Sequence, residues 1–507
     1  MTIGNHEREA IEDSYESLIK NLSITSLLDK LLNEKVLQGI DQRQIRRERN
    51  LKRRNIRFLQ ILQQKSNEEF YRFCKVLELS DTEILVSLGQ TLRKEAENKC
   101  QDIEINEENQ VTEINEKNQV IAASPPNNGI ILEDTESDFA HVMVDVFAWG
   151  NNHSGELGIP LSKNIEYPAP ARCKAISKLR PIMIKGGHDK TYILSQEGKV
   201  YGIGQVELKE DEHDSKNLHV PRLINGLSHL TIIKLDIHPD GHFALGITIK
   251  GELYSWGETP AQQITSVKDA IFTNISCGRD HRAAITNQGK LYTWGYGGLG
   301  CLGHGNSKTC LEPTLVEALA DKVVIDVACG SANQNHTVAV TSDDKVWSWG
   351  DPAGGKLGRI INSTKPCTLP GVIDGLLNKS VHRVICGSAF TLALTTSGSL
   401  YSWGHGSHYH SQHGIVGSVE RPKIVDVLKD KRVIAIAAGS LHWLACTIYG
   451  EIYAWGNNDA GQLGVKTLKS STDVIQVDTL MDEDINQVSC GFSHCFAWKS
   501  SLLQIKE

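Results

Sequence analysis

The spacing of apolar positions along this chain changes twice. From residue 5 to 93 it is helical. Ile11, Tyr15, Leu18, Ile19 and Leu22 recur at i, i+4, i+7, i+8 and i+11, one face of a 3.6-residue turn. Leu27, Leu28, Leu31 and Leu32 make a second stripe, and Ile45 serves a short third helix beginning near Asp41. Leu51, Ile56, Leu59 and Leu62 predict a fourth, Phe70, Phe73, Cys74 and Leu77 a fifth, and Ile84, Leu85 and Leu88 a sixth with Ser80–Asp81 as its cap. Six short amphipathic helices make a small bundle over residues 1–95. Across 96–140 the periodicity disappears. From 141 onward the chain carries short β-branched runs such as TYILS, RAAIT, TVAVT and TLALT, each closed by a brief turn, usually with Gly, which is a hairpin signal.

The β-rich part repeats. VFAWG at 146–150 returns as LYSWG (253–257), LYTWG (291–295), VWSWG (346–350), LYSWG (400–404) and IYAWG (452–456). The anchors are Trp149, Trp256, Trp294, Trp349, Trp403 and Trp455, with Ile203 holding the same place in a worn second repeat. Neighbouring anchors stand 52 to 55 residues apart, except that only 38 separate Trp256 from Trp294. A second column places a Gly after a small residue: Gly187, Gly278, Gly330, Gly387, Gly439 and Gly491, with a degenerate copy in PDGHFAL at 239–245. The first Trp strand has no Gly hairpin before it, and the last Gly hairpin has no Trp strand after it. The N-terminal strand therefore completes the final blade, and seven of each unit close a ring that leaves no exposed sheet edge. The fold class is multidomain: a helical bundle, then an all-β seven-bladed propeller over 141–500 and a tail at 501–507.

Two resemblances follow from these residues. ITSLLDKLLNEKVLQGIDQRQI (24–45) with IRFLQILQQKSNEEFYRFCKVLE (56–78) resembles a caspase-recruitment domain (CARD), a six-helix bundle of the death-fold superfamily. FAWGNNHSGELG (147–158) and YAWGNNDAGQLG (453–464), with CGRDH (277–281) and CGFSH (490–494), resemble the RCC1-like repeat of the regulator of chromosome condensation. The CARD resemblance implies no catalytic residues and a homotypic interface of basic against acidic faces. The basic patch is Arg46, Arg47, Arg53, Arg54 and Arg57, with Arg53, Arg54 and Arg57 foremost; the acidic patch is Glu12, Asp13, Glu16 and Asp29. Charge complementarity of this kind orients assembly more than it adds affinity. The run RRERNLKRR (46–54) also fits a nuclear-localisation signal. The founding RCC1 protein is a guanine-nucleotide exchange factor for a small GTPase and a chromatin binder, but the shared motif lies in the blade scaffold, so that role does not carry over residue by residue.

Charge narrows the partners. The formal net charge of −8 argues against a protein held to nucleic acid by bulk charge. Residues 101–140 hold ten acidic side chains against one Lys and include the near-copies EINEENQV and EINEKNQV, so 96–140 reads as an acidic, extended tether. No apolar run approaches a membrane span, the N-terminus lacks a signal peptide, and the 12 scattered cysteines read as reduced thiols of a cytoplasmic protein, with the nucleus as alternative.

The candidate chemistry is sparse. His281, His336, His442 and His494 recur once per repeat, which fits buried hydrogen-bonding spacers; Lys190, Phe243 and Phe390 fill the slot elsewhere. Trp149, Trp256, Trp294, Trp349, Trp403 and Trp455, with Gly278, Gly330, Gly387, Gly439 and Gly491, read as structural repeat positions. HGSHYHSQHG places His405, His408, His410 and His413 in one loop, without a Cys or carboxylate to complete a metal site. No nucleotide-loop, hydrolase, metalloprotease or kinase signature is present. The expectation is a non-enzymatic signalling adaptor without cofactor, metal or membrane association. It would join a CARD-containing caspase or scaffold, or a second copy of itself, to a propeller that holds another protein, in apoptosis or innate immunity. The alternative is a nucleotide exchange factor acting on a small GTPase through the propeller.

Overall fold

The computed structural model describes residues 144–161, 165–206, 218–239, 243–257, 259–330, 335–361, 363–406, 417–481 and 483–500 of the repeat region. Towards the N-terminus it describes 24–38, 51–62, 65–80 and 83–112, with single positions between 10 and 45. The chain divides into two compact units, residues 1–139 and 140–507.

In the first unit four helices are described: α1 (Ile24–Asn33), α2 (Leu51–Leu62), α3 (Asn67–Glu78) and α4 (Glu83–Thr112). Ile11, Leu18, Leu22, Leu27, Leu28, Leu31, Ile45, Leu59, Leu62, Phe70, Phe73, Cys74, Leu77, Leu85 and Leu88 are buried in one core, as the stripes predict. Phe58 joins them edge-on to Phe73, with ring centroids 5.1 Å apart. The start of α3 is set by a capping box. The Ser66 side chain accepts from the Glu69 N–H, and the Glu69 carboxylate accepts from the Ser66 N–H at 2.8 Å.

Three details depart from the sequence reading. Ile84 is exposed, because it lies one position off the Leu85–Leu88–Leu92 stripe that faces the core. The Ser80 hydroxyl donates back to the Val76 carbonyl at 3.0 Å, so it serves the end of α3, not the start of α4; Asp81 lies outside the described residues. Helix α4 also continues past residue 95 into the stretch read as tether. Residues 90–112 contain neither Gly nor Pro, the two residues least favourable in a helix interior. The six-helix expectation extends over residues outside the described set.

The second unit is a ring of seven four-stranded antiparallel sheets. We number the blades by their Trp strands. Blade 1 pairs β1 (Val146–Asn151) and β2 (Glu166–Arg172) with β27 (Gln487–Cys490) and β28 (His494–Trp498). Blades 2 to 7 are β3–β6 (181–223), β7–β10 (232–264), β11–β14 (272–315), β15–β18 (324–372), β19–β22 (381–424) and β23–β26 (433–476). The ring closes as the unmatched ends predict: β1 lies against β28 with Val146 opposite Trp498 and Gly150 opposite His494. The first strands of neighbouring blades touch all the way round, so they are the inner strands. The Trp strand is third, and its following Gly is required. Gly150, Gly295, Gly350, Gly404 and Gly456 have φ between 98° and 119°, and a Cβ at Gly295 would stand 2.6 Å from the Asp280 carbonyl oxygen. The pairing with the outer strand slips at this point in each of these blades, a bulge that turns the chain into the next loop.

Candidate functional site

The polar groups of the ring meet at the seams between blades. His281, His336, His442 and His494 are fully buried at the start of the second strands. Each reaches the following blade, to the residue just after that blade's own histidine slot. His281 Nε2 is 2.8 Å from Thr337 Oγ1, His336 Nε2 is 3.0 Å from Thr391 Oγ1, His494 Nε2 is 3.0 Å from Thr191 Oγ1, and His442 Nε2 is 3.0 Å from Cys495 Sγ. The three Thr hydroxyls donate to backbone carbonyls, so the ring nitrogen must be the donor to them, which assigns the Nε2–H tautomer to their histidines. Burial is the main cause that lowers the His281 and His494 pKa values to about 3, so both rings stay neutral.

Where the histidine is replaced, its partner is replaced too. Phe243 is followed across the seam by Arg282, whose guanidinium carbon lies 3.2 Å from the Phe ring centroid. Phe390 is followed by Trp443, edge-on at 4.0 Å. Lys190 is followed by Ala244 in the matching place. The glycine column answers to the same rings: a Cβ at Gly278 would stand 2.9 Å from His281 Nδ1, and one at Gly387 would overlap the Phe390 ring.

The carbonyls that the Thr hydroxyls reach belong to a second repeated device. The loop after the Trp strand carries Gly-x-Leu-Gly at 155–158, 300–303, 355–358 and 461–464. Its Leu (Leu157, Leu302, Leu357, Leu463) is buried. The carbonyl of x accepts from the next blade. Cys301 O takes Thr337 Oγ1–H and Trp349 Nε1–H, both at 2.8 Å. Lys356 O takes Thr391 Oγ1–H at 3.2 Å and Trp403 Nε1–H at 2.8 Å. Gln462 O takes Trp149 Nε1–H at 2.9 Å and Cys495 Sγ–H at 3.3 Å. Glu156 O takes Thr191 Oγ1–H at 2.9 Å, and the worn Ile203 offers no indole. The side chain of x turns back on its own loop. Glu156 accepts from the Ser154 N–H and the Asn151 amide; burial raises its pKa to about 7. Lys356 is fully buried against Asp351 at 2.6 Å.

Blades 2, 3 and 6 do not carry this sequence; the loops of blades 2 and 6 extend over residues outside the described set, and that of blade 3 is short. In blade 3 the loop between β9 (Leu253–Trp256) and β10 (Gln262–Ile264) is only residues 257–261, whereas blade 4 uses 296–309 for the same connection. This shorter loop makes up most of the shortfall in the 38-residue spacing, and the three-residue β10 adds to it. Beside it lies a cavity of about 460 Å³ at the seam of blades 3 and 4, lined by Phe243, Trp256, Arg282, Trp294, Leu311 and Pro313 among others.

The remaining sequence candidates fall as follows. All six Trp anchors are buried, and Gly278, Gly330, Gly387, Gly439 and Gly491 sit in the inner turns. Arg54 is partly buried on α2 and engaged; the side chains of Arg53, Arg57 and Asp29, and residues Arg46, Arg47, Glu12, Asp13 and Glu16, lie outside what is described. His405 Nδ1 stands 3.3 Å from Ser418 Oγ; His408, His410 and His413 lie outside the described residues. Among the described residues one set has metal-ligand spacing, His442, Cys490 and Cys495, with donor atoms within 4.8 Å of one another. The same three positions at the next seam but one hold His336, Cys386 and Thr391, so the set is the hydrogen-bonded belt with one Thr replaced by Cys. No described helix is long and apolar enough to cross a membrane. The sequence signal of the missing plug is the 38-residue spacing; that of the paired exchange is the column one blade ahead, where Arg282 and Trp443 stand in the place of Thr.

Comparison with known proteins agrees with this division. The profile of the Caspase recruitment domain matches residues 8–90, and that of the Regulator of chromosome condensation (RCC1) repeat matches 288–340, 343–394 and 449–498. A second RCC1 repeat profile matches 272–301, 381–409 and 433–462. The chain joins a CARD to a propeller of RCC1 repeats. The E3 ubiquitin-protein ligase HERC2 of Homo sapiens is 38% identical over 371 residues, which is 70% of this chain. This chain spans only 8% of the length of that ligase. Two solved propellers share the fold. Human WBSCR16 has a TM-score of 0.60 at 22% identity, over 70% of this chain and 99% of its own. Prp20p of Saccharomyces cerevisiae, described with its binding properties to Gsp1p and histones, has 0.61 at 21%, over 71% and 92%. A CARD and an RCC1 propeller together support a role in protein interaction.

Proposed function

We propose that this protein is a signalling adaptor. The observation that carries the proposal is the fusion itself: a CARD at 8–90, a domain type that binds its own kind, precedes a ring whose repeated polar side chains bond across its own seams. The CARD would recruit a CARD-bearing caspase or scaffold, or a second copy, in the cytoplasm, and the propeller would hold another protein through its non-repeated loops, in the control of apoptosis or innate immunity. The basic residues of α2 would form one side of the CARD contact. Substituting Arg53→Glu with Arg57→Glu in the full chain should abolish self-association or capture of a CARD partner in light scattering, with an unchanged melting temperature. Unaltered association would remove this interface.

Prp20p binds Gsp1p, by its reported description, and that favours a second reading: nucleotide exchange on a small GTPase through the propeller. Release of labelled nucleotide from a panel of small GTPases separates the two. Acceleration of any one by the full chain would replace a pure adaptor with an exchange factor.

A further inference from the structure

The cavity between blades 3 and 4 is a vacant plug seat. In the filled seats the plug glycines rest on fixed partners in the following blade. A Cβ at Gly300 would stand 2.8 Å from Thr368, one at Gly355 2.8 Å from Glu420, and one at Gly461 2.6 Å from Pro168, each the second, third or fourth residue of an outer strand. The closing glycine rests on the next Trp: Gly303 on Trp349 Nε1, Gly358 on Trp403 Nε1 and Gly464 on Trp149 Nε1. The cavity presents the same two surfaces in blade 4. One is the start of its outer strand, with Leu311 and Pro313, and the other is Trp294. The indole N–H of Trp294, which in sister blades meets the plug carbonyl, has no acceptor among the described residues. Leu311 is 84% exposed, an apolar side chain beside a seat that elsewhere is covered. Where the filled seats have a Thr or Cys donating to the plug carbonyl, this one has Arg282, which puts a cation in the wall.

We propose that this seat binds a turn from a partner protein, of the form Gly-acid-Leu-Gly, in place of the plug the chain has lost. The Leu enters as Leu302 and Leu357 do in their own seams. The main-chain carbonyl before it accepts from Trp294 Nε1–H, and the acidic side chain, which in the Glu156 plug turns back on its own loop, turns instead to the Arg282 guanidinium in the wall. The acid is the element that the sister seats do not require, and it gives the partner its selectivity. This inference deepens the propeller half of the adaptor reading and rests on it.

The chain supplies its own probe. A labelled, cyclised peptide with the sequence of residues 150–159 (GNNHSGELGI) contains Gly-Glu-Leu-Gly and can be titrated into the full protein by fluorescence anisotropy. Saturable binding is expected. Trp294→Phe keeps the ring and removes the N–H, and should weaken binding about tenfold. Arg282→Gln, or Gln in place of the peptide Glu, should weaken it by a similar factor, and the two changes together should cost less than their product. Leu311→Asp, a surface change that leaves the core intact, should abolish binding. So should replacing residues 257–261 with the sequence of 296–309, which refills the seat. Absence of binding, or binding that Trp294→Phe and Leu311→Asp leave unchanged, would overturn the proposal. If the full chain still captures a protein through its propeller when the peptide does not bind, the seat is refuted and the adaptor reading stands, so the two fail separately.

Discussion

Lowering the pH from 7.5 to 5 should loosen the ring through His281 and His494. Burial is the main cause that takes both imidazoles from the usual 6.5 down to about 3. His238 and Arg282 add to it at His281, and His442 and His188 at His494. The unfolded chain takes up a proton at each below pH 6.5, and the folded ring refuses it. Their contribution to stability is therefore fully present above 6.5 and is lost as the pH falls towards 3. Since pH 5 lies well above both folded values, the loss there follows from the unfolded value alone. It is about 1.5 pH units, or about 2 kcal/mol for each histidine and about 4 kcal/mol for the pair. Glu156 works in the opposite direction. Burial raises its pKa from 4.5 to about 7, so its contribution is present below 4.5 and is lost as the pH rises through 7. On acidification to pH 5 it returns about 2 kcal/mol, leaving a net loss of about 2 kcal/mol for the three groups. The assay is urea unfolding at the two pH values for the parent and for His281→Phe and His494→Phe, Phe being the residue that fills the same slot at 243 and 390. Each variant should be weaker at pH 7.5 by about 1 kcal/mol for its lost hydrogen bond, but should lose about 2 kcal/mol less than the parent on acidification. Equal losses in all three proteins would refute the buried neutral belt.

Two further outcomes follow from the seams. Glu156→Gln should raise stability by about 3 kcal/mol at pH 8 and leave it unchanged at pH 4; Gln462 fills the matching place and accepts from the Ala460 N–H at 2.9 Å, so the amide has room. Urea midpoints at the two pH values test this, and no gain at pH 8 would count against it. Gly387→Ala should cost more than about 3 kcal/mol because its methyl group would overlap the Phe390 ring. An unchanged urea midpoint would contradict that packing.

The architecture was legible because it repeats. Six Trp-Gly phrases and six Gly turns, with one worn copy of each, gave the count of seven blades, and their unmatched ends gave the closure now seen between β1 and β28. The histidines were legible as buried spacers by the same recurrence. Their partners were harder to see, because Thr337, Thr391 and Thr191 are ordinary strand residues until the blade that each faces is known. Once columns are compared one blade ahead, the exchange of His–Thr for Phe–Arg or Phe–Trp can be read from the chain itself. The deletion before Trp294 was visible as a short spacing, but its meaning needed the packing of each loop on the next blade. In the helical unit Ile84 misled because it adjoins the core residue Leu85, and the acidic composition beyond residue 95 said nothing against a helix, whose backbone hydrogen bonds are internal.

The closing blade also orders events during synthesis. β1 and β2 are made first, yet their hydrogen-bonded neighbour β28 is made only after every other blade has left the ribosome. Until then β1 has an open edge, and Trp149 lacks both its strand partner and the Gln462 carbonyl that receives its indole. The helical unit, whose core among the described residues runs from Ala10 to Ala96, can fold before the ring exists. Nascent chains would then present a folded helical unit ahead of an unclosed ring whose β1 edge is still unpaired.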